Sequence, residues 1–322
     1  MAKLAYIKEE GVTNLSYSRL KTLHECPRKF ELQEKYESGE RTQNIHTEFG
    51  HAYAMMVQEY FRTRDINRSI VAGMAAWDLE DLWIEKPMRS EKCFEEVLLA
   101  FDKFVDCVYP EYFEGRWKLA DLGGIPAIEP LCYINILDMY SYQMHIDLIL
   151  QNEDDSGLMV VEIKTTERSV HPAMYGNSSQ ATNYSIVVDY LAKKFKLPKA
   201  FQVMYLVYNP KQMDSFGHNI FEFPKSPVEK IQAINSILLE CQQLEKYEEF
   251  KFYPKNGDSC YNFNRACGYY NLCDMKVLHQ AKNHYDALPK TAADICIDIE
   301  NLAMFLGDVE QDTFDESKFL EM

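Results

Sequence analysis

The chain has 322 residues, 26% of them charged and 47% hydrophobic, which is typical of a soluble globular protein with one large or two modest domains. No apolar run approaches the ~18–20 residues of a membrane span, and the first residues lack the apolar core of a signal peptide, so we expect a cytoplasmic protein without a membrane partner. The formal net charge of −16 argues against a general phosphate-binding surface.

The first third of the chain is predicted to be helical. An opening helical stretch runs from about Ser16 to Tyr36, with Ser16 as its N-cap, and Pro27 must start a new turn or kink the helix. A second helix is expected around Ala52–Arg64, and residues 71–113 carry apolar side chains at helical spacing.

The middle of the chain changes to short β-rich segments bounded by turn-forming residues. Strands are predicted at 130–137, 144–150, 158–164 and 201–208, and helices at 173–195 and 227–249. This order indicates an α/β fold in which a small sheet, a crossover helix and a long helix follow a helical front.

Charged residues interrupt two of these apolar strands. The segments 144–150 and 158–164 are joined by a polar loop and predict a β-hairpin. If Leu150 pairs with Met159, Asp147 lies opposite Glu162 on the same face, and Lys164 shares that face because it follows Glu162 by two residues.

Two carboxylates so close repel each other, and an apolar strand is a costly place for them. A divalent cation removes both penalties, and Mg²⁺ or Mn²⁺ prefers such oxygen ligands. The alternative is an edge strand whose exposed face carries an ordinary Glu/Lys pair.

On the crossover helix, Gln180 and Tyr184 are neighbours at i and i+4, a pair suited to polar contacts with nucleic acid.

Three of the nine cysteines lie together in a segment rich in loop-forming residues, PKNGDSCYNFNRACGYYNLC. Packing alone does not call for Cys260, Cys267 and Cys273 within fourteen residues. Nine cysteines are too dilute for a secreted disulfide scaffold. The others lie mostly in apolar or amphipathic stretches, where a small buried hydrophobe is the expected role: Cys93, Cys107, Cys132, Cys241 and Cys296.

The negative charge is concentrated at the C-terminus. Residues 291–322 contain nine acids and one base, so this tail carries −8 and the other 290 residues share the remaining −8. The net charge therefore does not exclude DNA, but it predicts weak binding that depends strongly on salt and metal, or binding with the help of a partner.

The motifs in this order resemble the PD-(D/E)XK nuclease superfamily, and specifically its RecB-like branch, which includes CRISPR-associated adaptation nucleases and relatives in bacteriophages. The resemblance spans roughly residues 14–275. It rests on Asp147, a hairpin, Glu162-x-Lys164, Gln180-x-x-x-Tyr184 and an N-terminal motif formed by Ser16, Ser18, Leu20, Cys26, Pro27 and Phe30.

The resemblance implies a restriction-endonuclease-like α/β core, a small mixed sheet flanked by helices, with a helical N-terminal region and a C-terminal iron–sulfur latch. The implied domains are a helical region at 1–113, a nuclease core at 114–250, a cysteine-rich cluster segment at 251–290 and the acidic tail at 291–322. The implied partners are DNA and a protein of replication, recombination or CRISPR-related processing.

The implied activity is a metal-dependent deoxyribonuclease, by resemblance an exonuclease on single strands or DNA ends. Asp147, Glu162 and the backbone carbonyl of Ile163 would hold Mg²⁺ or Mn²⁺, and Lys164 would orient or activate the attacking water. Gln180 and Tyr184 would guide the strand. A non-catalytic DNA-processing subunit with the same fold is the alternative. An iron–sulfur redox enzyme is disfavoured because no G-x-G-x-x-G motif is present.

The resemblance also implies a [4Fe-4S] cluster held by Cys26, Cys260, Cys267 and Cys273. Four thiolates can equally hold Zn²⁺, and thiols without a metal are the third alternative. The sequence departs from the latch pattern, because six residues rather than two separate Cys260 from Cys267.

A second departure concerns the metal histidine of the family, which follows a glycine as G-x-x-x-H. Here Ala54 occupies that position after Gly50. His51 and Glu59 on the same helix, and Glu129 before the first strand of the core, are the replacement candidates.

Overall fold

The computed structural model of the protein describes residues 13–36, 44–79, 82–136, 139–212, 214–262, 265–270 and 273. The chain divides into two compact units, with the division after Gly257. Three predicted features lie outside the described residues, namely the acidic tail at 291–322, Cys296, and the end of the cysteine segment from 274 to 290.

The first two helices begin where the sequence predicts. Ser16 caps the first helix through its hydroxyl, and Pro27 begins the second helix directly after Cys26, as predicted. The described helices are α1 Tyr17–Glu25, α2 Pro27–Tyr36, α3 Ile45–Thr63, α4 Ile66–Ala76, α5 Phe94–Lys103, α6 Tyr109–Tyr112, α7 Pro172–Gly176, α8 Ser179–Phe195 and α9 Pro227–Glu249.

The predicted helical region at 71–113 is interrupted. Between the end of α4 and the start of α5, the described residues contain no α-helix, and Pro87 in this segment lacks the N–H that a helix interior needs. A π-helical turn, Phe104–Val108, joins α5 to α6. None of the described helices is long and apolar enough to cross a membrane.

The strands of the first unit form two sheets. Their bounds are β1 Thr13–Ser16, β2 Trp117–Leu119, β3 Leu131–Ile136, β4 Tyr140–His145, β5 Leu148–Asn152, β6 Leu158–Thr165, β7 Phe201–Tyr208 and β8 His218–Pro224. The larger sheet has the order β2-β5-β6-β7-β8, in which only β6 and β7 are parallel, and the smaller sheet has the order β1-β4-β3.

The residues predicted as one strand at 144–150 belong to two separate strands. It contains the end of β4 and the start of β5, and these lie in different sheets. The chain passes from one sheet to the other at Ile146 and Asp147. The predicted hairpin is confirmed between β5 and β6, which pair antiparallel.

Alternate residues of β6 face opposite sides of the larger sheet. Val161 and Ile163 pack in a hydrophobic cluster with α3 and α5, whereas Val160 packs in a second cluster with α8 and α9. By the same alternation, Glu162 and Lys164 fall on the α8 face. Helices therefore cover both faces of a mixed sheet, which confirms the predicted α/β class. β6 is a buried central strand of this sheet.

The second unit contains a short antiparallel hairpin in its described part. Strands β9 Tyr261–Asn262 and β10 Arg265–Ala266 pair with each other, and Ala266 lies opposite Tyr261.

Candidate active site

Asp147 directly precedes β5 and lies beside the middle of β6. Leu150 pairs with Met159 and Leu148 with Val161, so the predicted register is confirmed and continues to Asp147 opposite Glu162. Beyond Leu148 the strand pairing stops, and the carboxylate of Asp147 instead accepts the backbone N–H of Ile163 at 2.7 Å. The carbonyl of Ile163 points to the same side of β6 as its N–H.

Burial and mutual repulsion define the electrostatics of this carboxylate pair. Only 3% of the Glu162 surface is exposed. Burial, and next the Glu162 carboxylate, raise the pKa of Asp147 well above its usual range, although the Ile163 N–H and Lys164 act in the opposite direction. The pair therefore favours either a proton or a bound cation between its oxygens.

Lys164 supplies the positive charge next to this pair. Its Nζ lies 2.6 Å from Oε1 of Glu162, and about two fifths of its side chain is exposed. Burial lowers the pKa of Lys164, but the charge and hydrogen bond of Glu162 together with the charge of Asp147 outweigh that effect. The net pKa is raised, so the ammonium stays charged at neutral pH.

Gln180 and Tyr184 of α8 both contact Glu162. Nε2 of Gln180 donates to Oε1 of Glu162 at 2.8 Å and to the Tyr184 hydroxyl at 2.6 Å. The Tyr184 hydroxyl lies 2.7 Å from Oε2 of Glu162 and 2.9 Å from the His145 carbonyl oxygen. Tyr184 is 2% exposed, and burial raises its pKa far above the usual range. Both residues thus orient the Glu162 carboxylate, and their role in substrate binding stays a prediction.

A cavity of about 580 Å³ opens in front of these residues, between α3 and the end of β6. Asp147, Glu162, Ile163 and Lys164 line it together with residues of α3. A second cavity, of about 680 Å³, lies against the opposite flank of Lys164. Two residues of the N-terminal motif, Ser16 and Ser18, line this second cavity. Residues of α1, β4 and α8 complete its lining, among them Tyr17, Lys21, His145, Gln180 and Asn183.

Of the three replacement candidates for the missing histidine, two line the first cavity and one does not. Glu129 lines the first cavity, donates its backbone N–H to the Asp147 carbonyl at 3.1 Å, and accepts Nε2 of Gln58 at 3.1 Å. Its φ of 47° is unusual for a residue with a side chain and marks a strained position. His51 also lines this cavity and is exposed, whereas Glu59 forms ion pairs with two arginines of α3 and α4 and does not line it.

The sequence also matches a known family. A family model for the PD-(D/E)XK nuclease superfamily matches residues 14–274. The chain belongs to this superfamily. The structure brings Asp147, Glu162 and Lys164 together, as the sequence predicts.

Comparison with individual proteins adds little to the family assignment. No curated protein matches the sequence. Among solved structures, a "Putative exonuclease" from Eubacterium rectale has a TM-score of 0.46 at 10% identity, covering 84% of this chain and 97% of that chain. The protein SSO0001 has a TM-score of 0.31 at 14% identity, covering 73% and 79% of the two chains. TM-scores this low do not by themselves establish a common fold.

The donor set of the site suits the divalent metal ion that PD-(D/E)XK nucleases typically use. Among the described residues, no group of three or more His, Cys, Asp or Glu side chains is arranged to hold a metal. Two carboxylates and a carbonyl, however, are hard oxygen donors, which Mg²⁺ combines with water and phosphate oxygens rather than with a complete protein cage. Burial, and next the Glu162 carboxylate, raise the pKa of Asp147, and a cation between the two carboxylates would offset both effects.

The cysteines of the second unit are organised by its hairpin. Cys260 precedes β9 and Cys267 follows β10, and the backbone N–H of Cys267 donates to the Cys260 carbonyl at 2.8 Å. The two residues thus continue the hairpin register, although six residues separate them in the sequence. Cys26 is buried in the first unit, where its sulfur accepts the Asn256 N–H at 3.4 Å.

A buried lysine behind the first cavity lies outside every predicted site. Lys92 is 1% exposed, and its Nζ lies 3.1 Å from Oγ1 of Thr165, the last residue of β6. Burial lowers the pKa of Lys92 to about 8, although Glu167 raises it. No sequence signal marks Lys92, because it lies in the irregular segment before α5 and meets β6 only in the folded chain.

Proposed function

We propose that the protein is a Mg²⁺- or Mn²⁺-dependent deoxyribonuclease of the RecB-like branch that acts as an exonuclease on single-stranded DNA or DNA ends. The observation that carries the proposal is the arrangement of Asp147, directly before β5, with the buried Glu162 and the adjacent Lys164 on β6. Superfamily membership supports nuclease chemistry, and DNA as the substrate follows from it.

In this proposal, Asp147, Glu162 and the Ile163 carbonyl hold the metal ion, which when bound lowers the pKa of a water molecule and neutralises charge on the scissile phosphate. Lys164 orients that water and stabilises negative charge that develops on the phosphate. Gln180 and Tyr184 keep the Glu162 carboxylate in one orientation by hydrogen bonds to both of its oxygens. Glu129 is proposed as the additional acid of the site.

Two cavities flank Lys164, and this supports a path for one strand through the site. The second cavity offers polar and aromatic groups suited to an unpaired strand, including Tyr17 for stacking on a base and Lys21 for a phosphate. Gln180 also lines this cavity, which supports its proposed contact with the strand.

We also propose the [4Fe-4S] cluster on Cys260, Cys267 and Cys273. The placement of Cys260 and Cys267 at the base of one hairpin supports it, since adjacent thiols on a short hairpin are suited to binding one metal centre. The fourth ligand of the proposed set, Cys26, belongs to the first unit and rests on the sequence. Zinc at the same cysteines is the competing assignment.

A nuclease assay with four DNA substrates tests the proposed mode. Linear single-stranded, blunt and overhanging DNA, and circular single-stranded DNA, are incubated with Mg²⁺ or Mn²⁺. An exonuclease degrades the linear strands from their ends and leaves the circle intact. Degradation of the circle at the same rate would overturn the exonuclease mode.

A further inference from the structure

We propose that Lys92 and Thr165 form a phosphate-binding site in the wall of the active-site cavity, which takes a phosphate of the nucleic-acid strand other than the scissile one. This inference rests on the proposed nuclease function, because Thr165 lines the same cavity as Glu162 and Lys164. It assigns a binding role to two residues outside the metal site.

Lys92 is a buried cation with an incomplete set of partners. Its Nζ donates to Oγ1 of Thr165 at 3.1 Å and lies 4.9 Å from the centre of the Phe49 ring. Within the described residues, no carboxylate oxygen lies within 4.0 Å of the Lys92 Nζ, whereas Lys164 and Lys225 each have one within that distance. An ammonium has three donors, and burying one without an anion is costly.

The nearest acid is committed to other groups. Glu167 accepts the Ser90 hydroxyl at 3.1 Å and the backbone N–H of Glu91 at 2.6 Å, and it pairs with Lys211 at 3.6 Å. Glu167 thus stabilises the charged form of Lys92 from a distance, without contacting the ammonium. The fold leaves the positive charge available to an anion.

Thr165 connects this charge to the cavity. Its oxygen accepts the proton of Lys92, so its own hydroxyl proton is available to a further acceptor, and no described residue takes it. Gly50 of α3 keeps the approach open, because a Cβ there would lie 3.3 Å from Oγ1 of Thr165. A hydroxyl polarised by an ammonium is a strong donor to a phosphate oxygen.

The position along β6 separates this anion site from the metal site. Thr165 follows Glu162 by three residues, roughly 10 Å at about 3.3 Å per strand residue. Asp147 and Glu162 attract a cation at one end of the cavity, and Lys92 with Thr165 attracts an anion at the other. A strand whose scissile phosphate lies at the metal therefore presents another phosphate to Thr165.

The test compares steady-state kinetics of full-length Thr165→Val and Lys92→Met with wild type on a single-stranded oligonucleotide. Both changes keep side-chain shape and remove a donor. We expect KM to rise about tenfold or more in each, the size of one lost charge-assisted hydrogen bond, with a smaller change in kcat. Thr165→Ser should retain most of the affinity, and Lys211→Met, an exposed lysine near Glu167, should behave as wild type.

Melting temperature separates binding from a structural role. Removing an unpaired buried charge should leave the melting temperature of Lys92→Met unchanged or higher. A lower melting temperature with unchanged KM would overturn the inference, as would wild-type KM in Thr165→Val. Inactive wild-type protein would instead refute the proposed function. Oligonucleotides with a 5′-phosphate or a 5′-hydroxyl distinguish the sources: a KM effect confined to the former assigns the site to a terminal phosphate, and an equal effect assigns it to an internal phosphodiester.

Discussion

Glu162 is held by three side chains from two elements, β6 and α8. Lys164 contacts one of its oxygens, Gln180 the same oxygen, and Tyr184 the other. Groups that orient a metal ligand are often as important as the ligand, because they fix its direction and its basicity. In this structure, Gln180 and Tyr184 therefore hold the Glu162 carboxylate by hydrogen bonds.

Replacing Tyr184 by Phe tests this support. The ring fills the same buried space, but the hydrogen bond to Glu162 is lost. We expect the Mn²⁺ concentration for half-maximal nuclease activity to rise about tenfold. The measurement is a metal titration of the initial rate, with the melting temperature recorded in parallel.

Tyr190→Phe is the matched control, since Tyr190 lies on the same helix and is 62% exposed. It should keep the wild-type metal dependence. An unchanged titration for Tyr184→Phe would assign the Tyr184 hydroxyl to packing or to the His145 carbonyl instead of Glu162.

The sequence predicts the two acids and the lysine of the site, but it does not predict the side chains that contact the neighbouring residues Glu129 and Thr165. Asp147, Glu162 and Lys164 follow from strand alternation and from one assumed pair of residues, which the structure confirms. The contact of Gln58 with Glu129 and that of Lys92 with Thr165 join distant segments, 71 and 73 residues apart. No local spacing encodes such contacts.

Among the elements, β6 is predicted from its apolar, β-rich sequence, and the structure buries both of its faces. β7 matches its predicted bounds of 201–208, and α9 matches 227–249. The strand at 144–150 was wrong as one element, because its alternation continues across the point where the chain changes sheet. β1 and β2, of four and three residues, are too short to show a period.

The junction of α3 with β8 contains a buried histidine. Nε2 of His218 lies 2.7 Å from the Tyr53 hydroxyl, and its Nδ1 lies 3.1 Å from the Phe216 carbonyl, so a neutral ring that donates from Nδ1 satisfies both. Burial lowers the pKa of His218 from 6.5 to about 4. The folded state therefore binds fewer protons than the unfolded state between these two values.

The free energy of unfolding should accordingly fall as the pH drops from 6.5 to 4. The loss due to His218 is about 3 kcal/mol, from a shift of roughly 2.5 pKa units. Asp147, whose pKa is raised, acts in the opposite direction, so the informative quantity is the difference between wild type and His218→Gln. Denaturant unfolding at several pH values measures it.

His171→Gln serves as the control, because His171 is an exposed capping residue at the start of α7. It should keep the wild-type pH profile. If His218→Gln also kept that profile, the buried imidazole would not be the group that titrates.

The whole chain combines an acidic balance with a family whose substrate is DNA. Half of the net charge of −16 belongs to the tail at 291–322, and two further acids, Asp147 and Glu162, are placed to attract a cation. The sequence predicted this balance and the order of the motifs. It did not predict the hairpin that brings Cys260 next to Cys267, because each strand of that hairpin has only two residues and shows no alternation.

The cysteine proposal is tested by Cys273→Ala. We expect loss of iron, loss of visible absorbance and a lower melting temperature, because the binding energy of a structural metal centre is partly folding energy. Cys107→Ala, at a half-buried cysteine of the π-helical turn, should keep all three properties. Full iron content in Cys273→Ala would exclude it as a ligand, and colourless wild-type protein containing zinc would replace the cluster by zinc.

We propose above that Asp147, Glu162 and Lys164 form a metal-dependent nuclease site. Its most direct test is cleavage of linear single-stranded DNA with Mn²⁺ by wild type, Glu162→Gln, and Glu153→Gln as a control in the exposed loop of the β5–β6 hairpin. We predict activity in wild type and Glu153→Gln, a loss of at least about a thousandfold in Glu162→Gln, and melting temperatures of both variants that are equal to or higher than that of wild type. Cleavage by Glu162→Gln at the wild-type rate would contradict it.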